Sequence, residues 1–137
     1  MFNNIGISSG HSLLVRGATD LIDEVNEARQ VTNRIAGYLK ELSCSVFVFH
    51  DDTSNTQSQN INTIVKHHNS QQRDLDVSVH FNAAGKTDSP RGVEVLYVND
   101  KYKALAEKVS KAIADASGLT NRGAKKKNKL RLFKRNK

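Results

Sequence analysis

The sequence predicts an α/β domain in three layers, with a largely parallel, twisted sheet between helices. Three observations carry this. Short β-branched runs alternate with amphipathic stretches in the order strand, helix, strand, helix, strand. Each helical stretch is long enough to cross over between neighbouring parallel strands. The run SVFVF, residues 45–49, is almost continuously apolar, as a strand covered on both faces requires. A length of 137 residues suits one compact domain, and 37% apolar with 26% charged residues excludes wholesale disorder.

The first strand is short and mixed, residues 4–8, and runs into the small-residue loop SSGHS. Thr19 or Asp20 caps a helix over residues 20–42, whose apolar stripe is Leu21, Val25, Ala28, Ile35, Leu39 and Leu42. After the second strand, the polar stretch DDTSNTQSQN reads as a loop. A second helix over 59–70 puts Ile61, Ile64, Val65 and His68 on one face, packed, and turns His67 to solvent. The third strand, 75–80, closes on an imidazole in DVSVHFNA. The surface loop AAGKTDSPRG holds the only proline, and GVEVLYV, residues 92–98, is the fourth strand. Asp100 caps a third helix to about Ser117, with Leu105, Val109, Ala112, Ile113 and Ala116 inward and Gly118 as its stop.

The net charge of +7 is unevenly spread. Residues 1–120 carry 12 Lys and Arg against 14 Asp and Glu, whereas residues 121–137 carry nine basic residues and no acid. The expected organisation is therefore a near-neutral domain over 1–120 and a basic C-terminal tail over 121–137. A single cysteine, Cys44, excludes a disulfide framework and a cysteine zinc cluster, so any metal site must use His, Asp and Glu. The N-terminus lacks the charged start and long apolar stretch of a signal peptide, and no run is long enough to span a membrane. Synthesis in the cytoplasm as a soluble chain is the expectation.

A strand that heads into a core and ends on histidine needs a reason. In parallel α/β sheets the chemistry gathers beyond the carboxyl ends of the strands. His11 follows the first strand and His80 ends the third, so both belong to that rim. The first helix starts from the same edge, and Asp20, Asp23, Glu24 and Glu27 all qualify by position as a carboxylate partner. Two histidines and one carboxylate with an open fourth position are the donor set of a catalytic zinc. The spacing is not that of HExxH, and on the residues alone a packed rim histidine remains the competing reading. His50-Asp51-Asp52 closes the second strand at the same rim and reads as a capped loop entry. Ser8, Ser9 and Ser12 surround His11 without a GxSxG elbow, which argues against a serine hydrolase.

The segments SSGHS, EVNEARQVTNRIAGYL, DVSVHFNA, GVEVLYV and GLTNRGAK, in this order and at these separations, resemble the zinc-dependent N-acetylmuramoyl-L-alanine amidases of bacterial autolysins and phage endolysins. The resemblance covers residues 5–125. It implies Zn²⁺ held by His11, Glu27 and His80, with Glu24, one turn earlier, as the fallback carboxylate. It implies peptidoglycan as the substrate and cleavage of the amide between N-acetylmuramic acid and L-alanine. Asn82, two residues past His80, is a candidate for substrate contact, as is Arg122 in the NRGAK segment; a plain turn residue and a loop cation are the respective alternatives.

The sequence departs from the family at its end. The family's catalytic glutamate lies on a strand beyond the RGAK segment, and here NRGAKKKNKLRLFKRNK follows with no acid. The final strand and helix of the family are expected to be missing, and the domain over 1–120 incomplete. Glu24 and Glu94 are weak stand-ins for the general base. A catalytically silent, zinc-containing module that binds peptidoglycan is the alternative. The tail suits anionic wall polymers; with only Phe133 as an aromatic it carries no base-reading pattern, so nucleic acid is a remote reading. A lysin that reaches the cell wall only after release fits the absent signal peptide.

Overall fold

Ile5 and Ile7, both buried, seat the first strand, β1 (Asn4–Ser12), at the centre of a three-stranded sheet. The order is β2-β1-β3, with β2 (Ser45–Asp51) and β3 (Leu75–Val79) both parallel to β1. The computed structural model describes residues 1–17, 19, 22–81 and 89–128. It divides into two compact units, Met1–Ala84 and Gly85–Lys137.

In the first unit, strand alternation separates two faces. Helix α1 (Glu24–Glu41) lies on one, burying Val25, Ala28, Thr32 and Ala36 in the unit's core with Ile5 and Ile7. Helix α2 (Gln57–Asn69) lies on the other, where His67 stacks on Phe49 with ring centroids 4.2 Å apart. His68, buried as predicted, bonds through Nδ1 to Asp76 Oδ1 at 2.7 Å. Burial pushes the Asp76 carboxyl up, but the bonds from His68 and Arg73 outweigh it and hold it below the usual range. His67 is half-buried against Phe49 rather than solvated, because the aromatic face of β2 continues under the last turn of α2.

The first helix starts later than predicted, and the reason is local. Asp23 is its N-cap: Oδ1 accepts the Val25 and Asn26 N–H groups, satisfying donors that the first turn cannot pair internally. Thr19 instead forms an antiparallel bridge with Asp23. Asp20 and Leu21 lie outside the described residues. Thr56 caps α2 in the same way, its hydroxyl accepting the Gln59 N–H at 3.2 Å.

The second unit pairs β4 (Val93–Tyr97) with β5 (Asn121–Lys126), again parallel, through helix α3 (Lys103–Ser117). Asn99 caps a short 3₁₀ turn, Asp100–Tyr102, ahead of α3, so Asp100 is not the cap of the main helix. The buried side of α3 is Ala106, Ser110 and Ala114, not the larger stripe that periodicity favoured; Val109 and Ile113 are exposed. Small residues on that side let the helix approach the strand pair closely. Strand β5 was not expected, since NRGAKK has no β-branched residue, and the segment read as the start of the tail is a paired strand. Glu94 Oε2 accepts Lys125 Nζ at 2.6 Å and Arg122 Nη2 at 3.2 Å, neutralising part of the charge that otherwise disfavours that strand.

Asp51, at the end of β2, is 1% exposed and holds the following loop. Its Oδ1 accepts the Thr53 and Ser54 N–H groups at 3.0 and 3.2 Å, and its Oδ2 accepts Asn60 Nδ2 at 2.8 Å. Burial would raise this carboxyl, yet the bonds from Ser54, Thr53 and Asn60 prevail and lower it. A carboxylate with a depressed folded pKa stabilises the fold above its unfolded pKa, about 3.9, and loses that contribution as pH falls through the folded value. Asp51→Ala should therefore cost about 1.5–3 kcal/mol in urea unfolding at neutral pH. The gap between parent and variant should narrow below about pH 4, and a gap independent of pH would contradict this account.

Candidate metal centre

Strand β1 leaves its register with β2 between Ser8 and Ser12, where the partner strand advances only from Phe49 to Asp51. The surplus residues bulge out of the ladder and carry His11 with them. His11 has φ of 63°, the left-handed region, which costs a residue with a side chain about 1–3 kcal/mol and is tolerated where the surroundings over-determine it. Strand β3 ends at Val79, and His80 is the next residue, at the same carboxyl rim.

The first turn of α1 brings Glu24 between the two imidazoles. Glu24 Oε1 lies 3.2 Å from His11 Nε2 and 3.3 Å from His80 Nδ1, and it also accepts the Phe81 N–H at 3.1 Å. The two rings meet edge to face, centroids 5.2 Å apart. One donor atom from each of His11, Glu24 and His80 lies within 4.8 Å of the others. Glu27, the carboxylate carried over from the family resemblance, is not in this group. It is one turn further along the helix, and the Asp23 cap fixes the register that points Glu24 at the histidines. Glu24 is buried, with 5% of its side chain exposed against 18% for His11 and 39% for His80, so the group opens to solvent on the His80 side.

The donor set fits a metal. Tetrahedral zinc bonds of about 2.0–2.1 Å place neighbouring donors roughly 3.3–3.4 Å apart, close to the two separations observed here. Two glycines keep the space clear. A Cβ at Gly17 would stand 2.5 Å from Glu24 Oε2 and 2.7 Å from His11 Nε2, and φ there is 71°. A Cβ at Gly10 would overlap the His80 ring. Arg16 braces this side of the cluster, with Nε 2.9 Å and Nη2 2.6 Å from Asp23 Oδ2, tying the loop after His11 to the start of α1.

The remaining candidates sit elsewhere. His50 is no member of the cluster; its Nδ1 bonds Ser9 Oγ at 2.8 Å and its Nε2 bonds Asn33 Oδ1 at 3.0 Å. Burial and the Arg29 guanidinium hold its imidazole below the usual histidine range. Glu94 and Arg122 belong to the ion-paired β4–β5 edge in the second unit. Asn82 lies outside the described residues.

Residues 5–137 match the Amidase_3 family, N-acetylmuramoyl-L-alanine amidase. The chain belongs to this family. Three solved structures share its fold. The catalytic domain of the CD27L endolysin targeting Clostridia Difficile superposes with a TM-score of 0.82 at 24% identity, over 93% of this chain and 72% of that one. The catalytic domain of CwlV, an N-acetylmuramoyl-L-alanine amidase from Bacillus (Paenibacillus) polymyxa var. colistinus, gives 0.79 at 26% identity, over 96% and 73%. The amidase AmiC2 of Nostoc punctiforme gives 0.75 at 24%, over 96% and 72%. An uncharacterized 38.4 kDa protein of Clostridium perfringens is 33% identical over 133 residues, 92% of this chain but only 37% of that relative's length.

Gly17→Ala tests the cradle directly. The added methyl meets the carboxylate and imidazole of the donor group, so affinity for a divalent metal, measured by competition with a chromophoric chelator, should fall at least tenfold. Gly37→Ala, at a helical position where a Cβ meets nothing within 4 Å, should leave it unchanged.

Proposed function

We propose that this chain is a zinc-dependent hydrolase of the amide joining N-acetylmuramic acid to L-alanine in peptidoglycan. The convergence of His11, Glu24 and His80 within 4.8 Å at the rim of a parallel sheet, in a chain of the amidase family, carries the reading. An amide carbonyl is a poor electrophile and neutral water a poor nucleophile; bound zinc polarises the first and brings the pKa of the second to about 7. The chain's own residues prepare the site. Glu24, pinned by the Phe81 N–H, supplies a fixed anionic donor between the imidazoles. The exposed edge at His80 leaves an approach for a flat, polar glycan.

Hydrolysis forms a C–O bond, breaks the C–N bond and leaves a proton on the departing amine, which calls for a proton carrier. Glu24 serves here as a donor, and Glu94 Oε2 is engaged by Lys125 and Arg122. The reading therefore gives the proton to neither. That same observation favours a second reading, a zinc-containing module that holds peptidoglycan without cutting it. The basic residues that follow β5, 127–137, are assigned to contact with anionic wall polymers, an attraction that salt should weaken.

Elemental analysis of the purified chain should find close to one zinc, lost in His80→Ala and Glu24→Ala and retained in Glu27→Ala. Release of L-alanine amino termini from purified peptidoglycan that follows the same pattern establishes the amidase. One zinc and sedimentation with peptidoglycan without release establishes the silent module, and absence of zinc from the parent removes both.

A further inference from the structure

His11 adopts its left-handed backbone conformation between two serines that are wholly buried, Ser9 and Ser12. Both hydroxyls are tied down. Ser9 Oγ lies 2.8 Å from His50 Nδ1, and His50 Nε2 lies 3.0 Å from Asn33 Oδ1 on α1. An amide oxygen only accepts, so Nε2 carries the proton; in the neutral imidazole Nδ1 then accepts the Ser9 hydroxyl proton. Ser12 Oγ donates to the Ser54 carbonyl at 2.7 Å and accepts the Val15 N–H at 3.0 Å, while the Ser12 N–H donates to the Val15 carbonyl at 3.2 Å. These bonds anchor the bulged end of β1 to β2, to α1 and to the loop that follows β2. They flank the one residue of β1 whose conformation disfavours a side chain. Neither serine is a nucleophile, since no substrate reaches a fully buried hydroxyl.

We propose that Ser9 and Ser12 are positioning residues, a bracket anchored on His50 and the Ser54 carbonyl that holds His11 in the orientation the metal requires. This rests on the metal reading above. Without the bracket, the bulge can relax toward ordinary β geometry, which swings His11 away from Glu24. The bracket acts through backbone geometry rather than through a hydrogen bond to the ligand ring.

The experiment measures zinc affinity by chelator competition for the full chain, Ser9→Ala, Ser12→Ala, His50→Ala and His50→Asn. It is run at a temperature where circular dichroism shows each protein folded. Loss of outer-shell support costs metal affinity about 10–100-fold, and that is expected for the three alanine variants. His50→Asn, whose amide oxygen can accept the Ser9 proton, should recover most of the loss. The visible spectrum of the cobalt-loaded chain should change in Ser9→Ala and stay the same in Ser110→Ala, a buried serine of the second unit. General loosening of the fold would not give this pattern of rescue and spectral change. Parental binding with affinities within twofold in Ser9→Ala and Ser12→Ala, and an unchanged spectrum, overturns the bracket while leaving the metal reading intact. No zinc in the parent overturns both; should one alanine variant not fold, the other and His50→Asn decide the matter.

Discussion

The placement of β1 between β2 and β3 is the constraint on which the site depends. Parallel pairing on both sides carries the carboxyl ends of three strands to one rim, so His11, His50 and His80 arrive there together although the outer two lie 69 positions apart. Pairing alone would direct them by alternation into opposite faces. The bulge at the end of β1 removes His11 from that alternation, and the start of α1 supplies the carboxylate that the two imidazoles share. Sheet order, register fault and helix cap together reduce three mobile side chains to one arrangement.

Much of this was legible from residue order. The alternation of β-branched runs with amphipathic stretches gives the parallel α/β class, and DVSVHFNA marks a strand that delivers a histidine to the rim. The carboxylate was harder, because Glu24 and Glu27 lie on nearly the same side of an ideal helix. The difference lies in where the helix begins. Asp23 has a second oxygen for Arg16, and this double use makes it a better cap than Thr19. The signal was present in the acidic residue directly before EVNE, but its weight depends on an arginine seven positions earlier, which periodicity does not register.

Strand β5 was hidden for a different reason. NRGAKK has neither apolar alternation nor β-branching, and its pairing draws on cross-strand charge: Glu94 meets Lys125 and Arg122, and Asp100 meets Lys126. A sequence window that ends at the basic run cannot see acids some thirty residues away. The buried side of α3 is hidden likewise, since Ala106, Ser110 and Ala114 form only a faint apolar stripe. Their small size is what the packing uses.

The absent side chains at Gly10 and Gly17 shape more than the room around the donors. Two walls of the cluster are main chain, which has no rotamers to freeze when a ligand settles against it. Ordering on those sides was completed when the chain folded. On the metal reading proposed above, affinity would be set by how well the three donors are aimed, with little cost for ordering the surface they share.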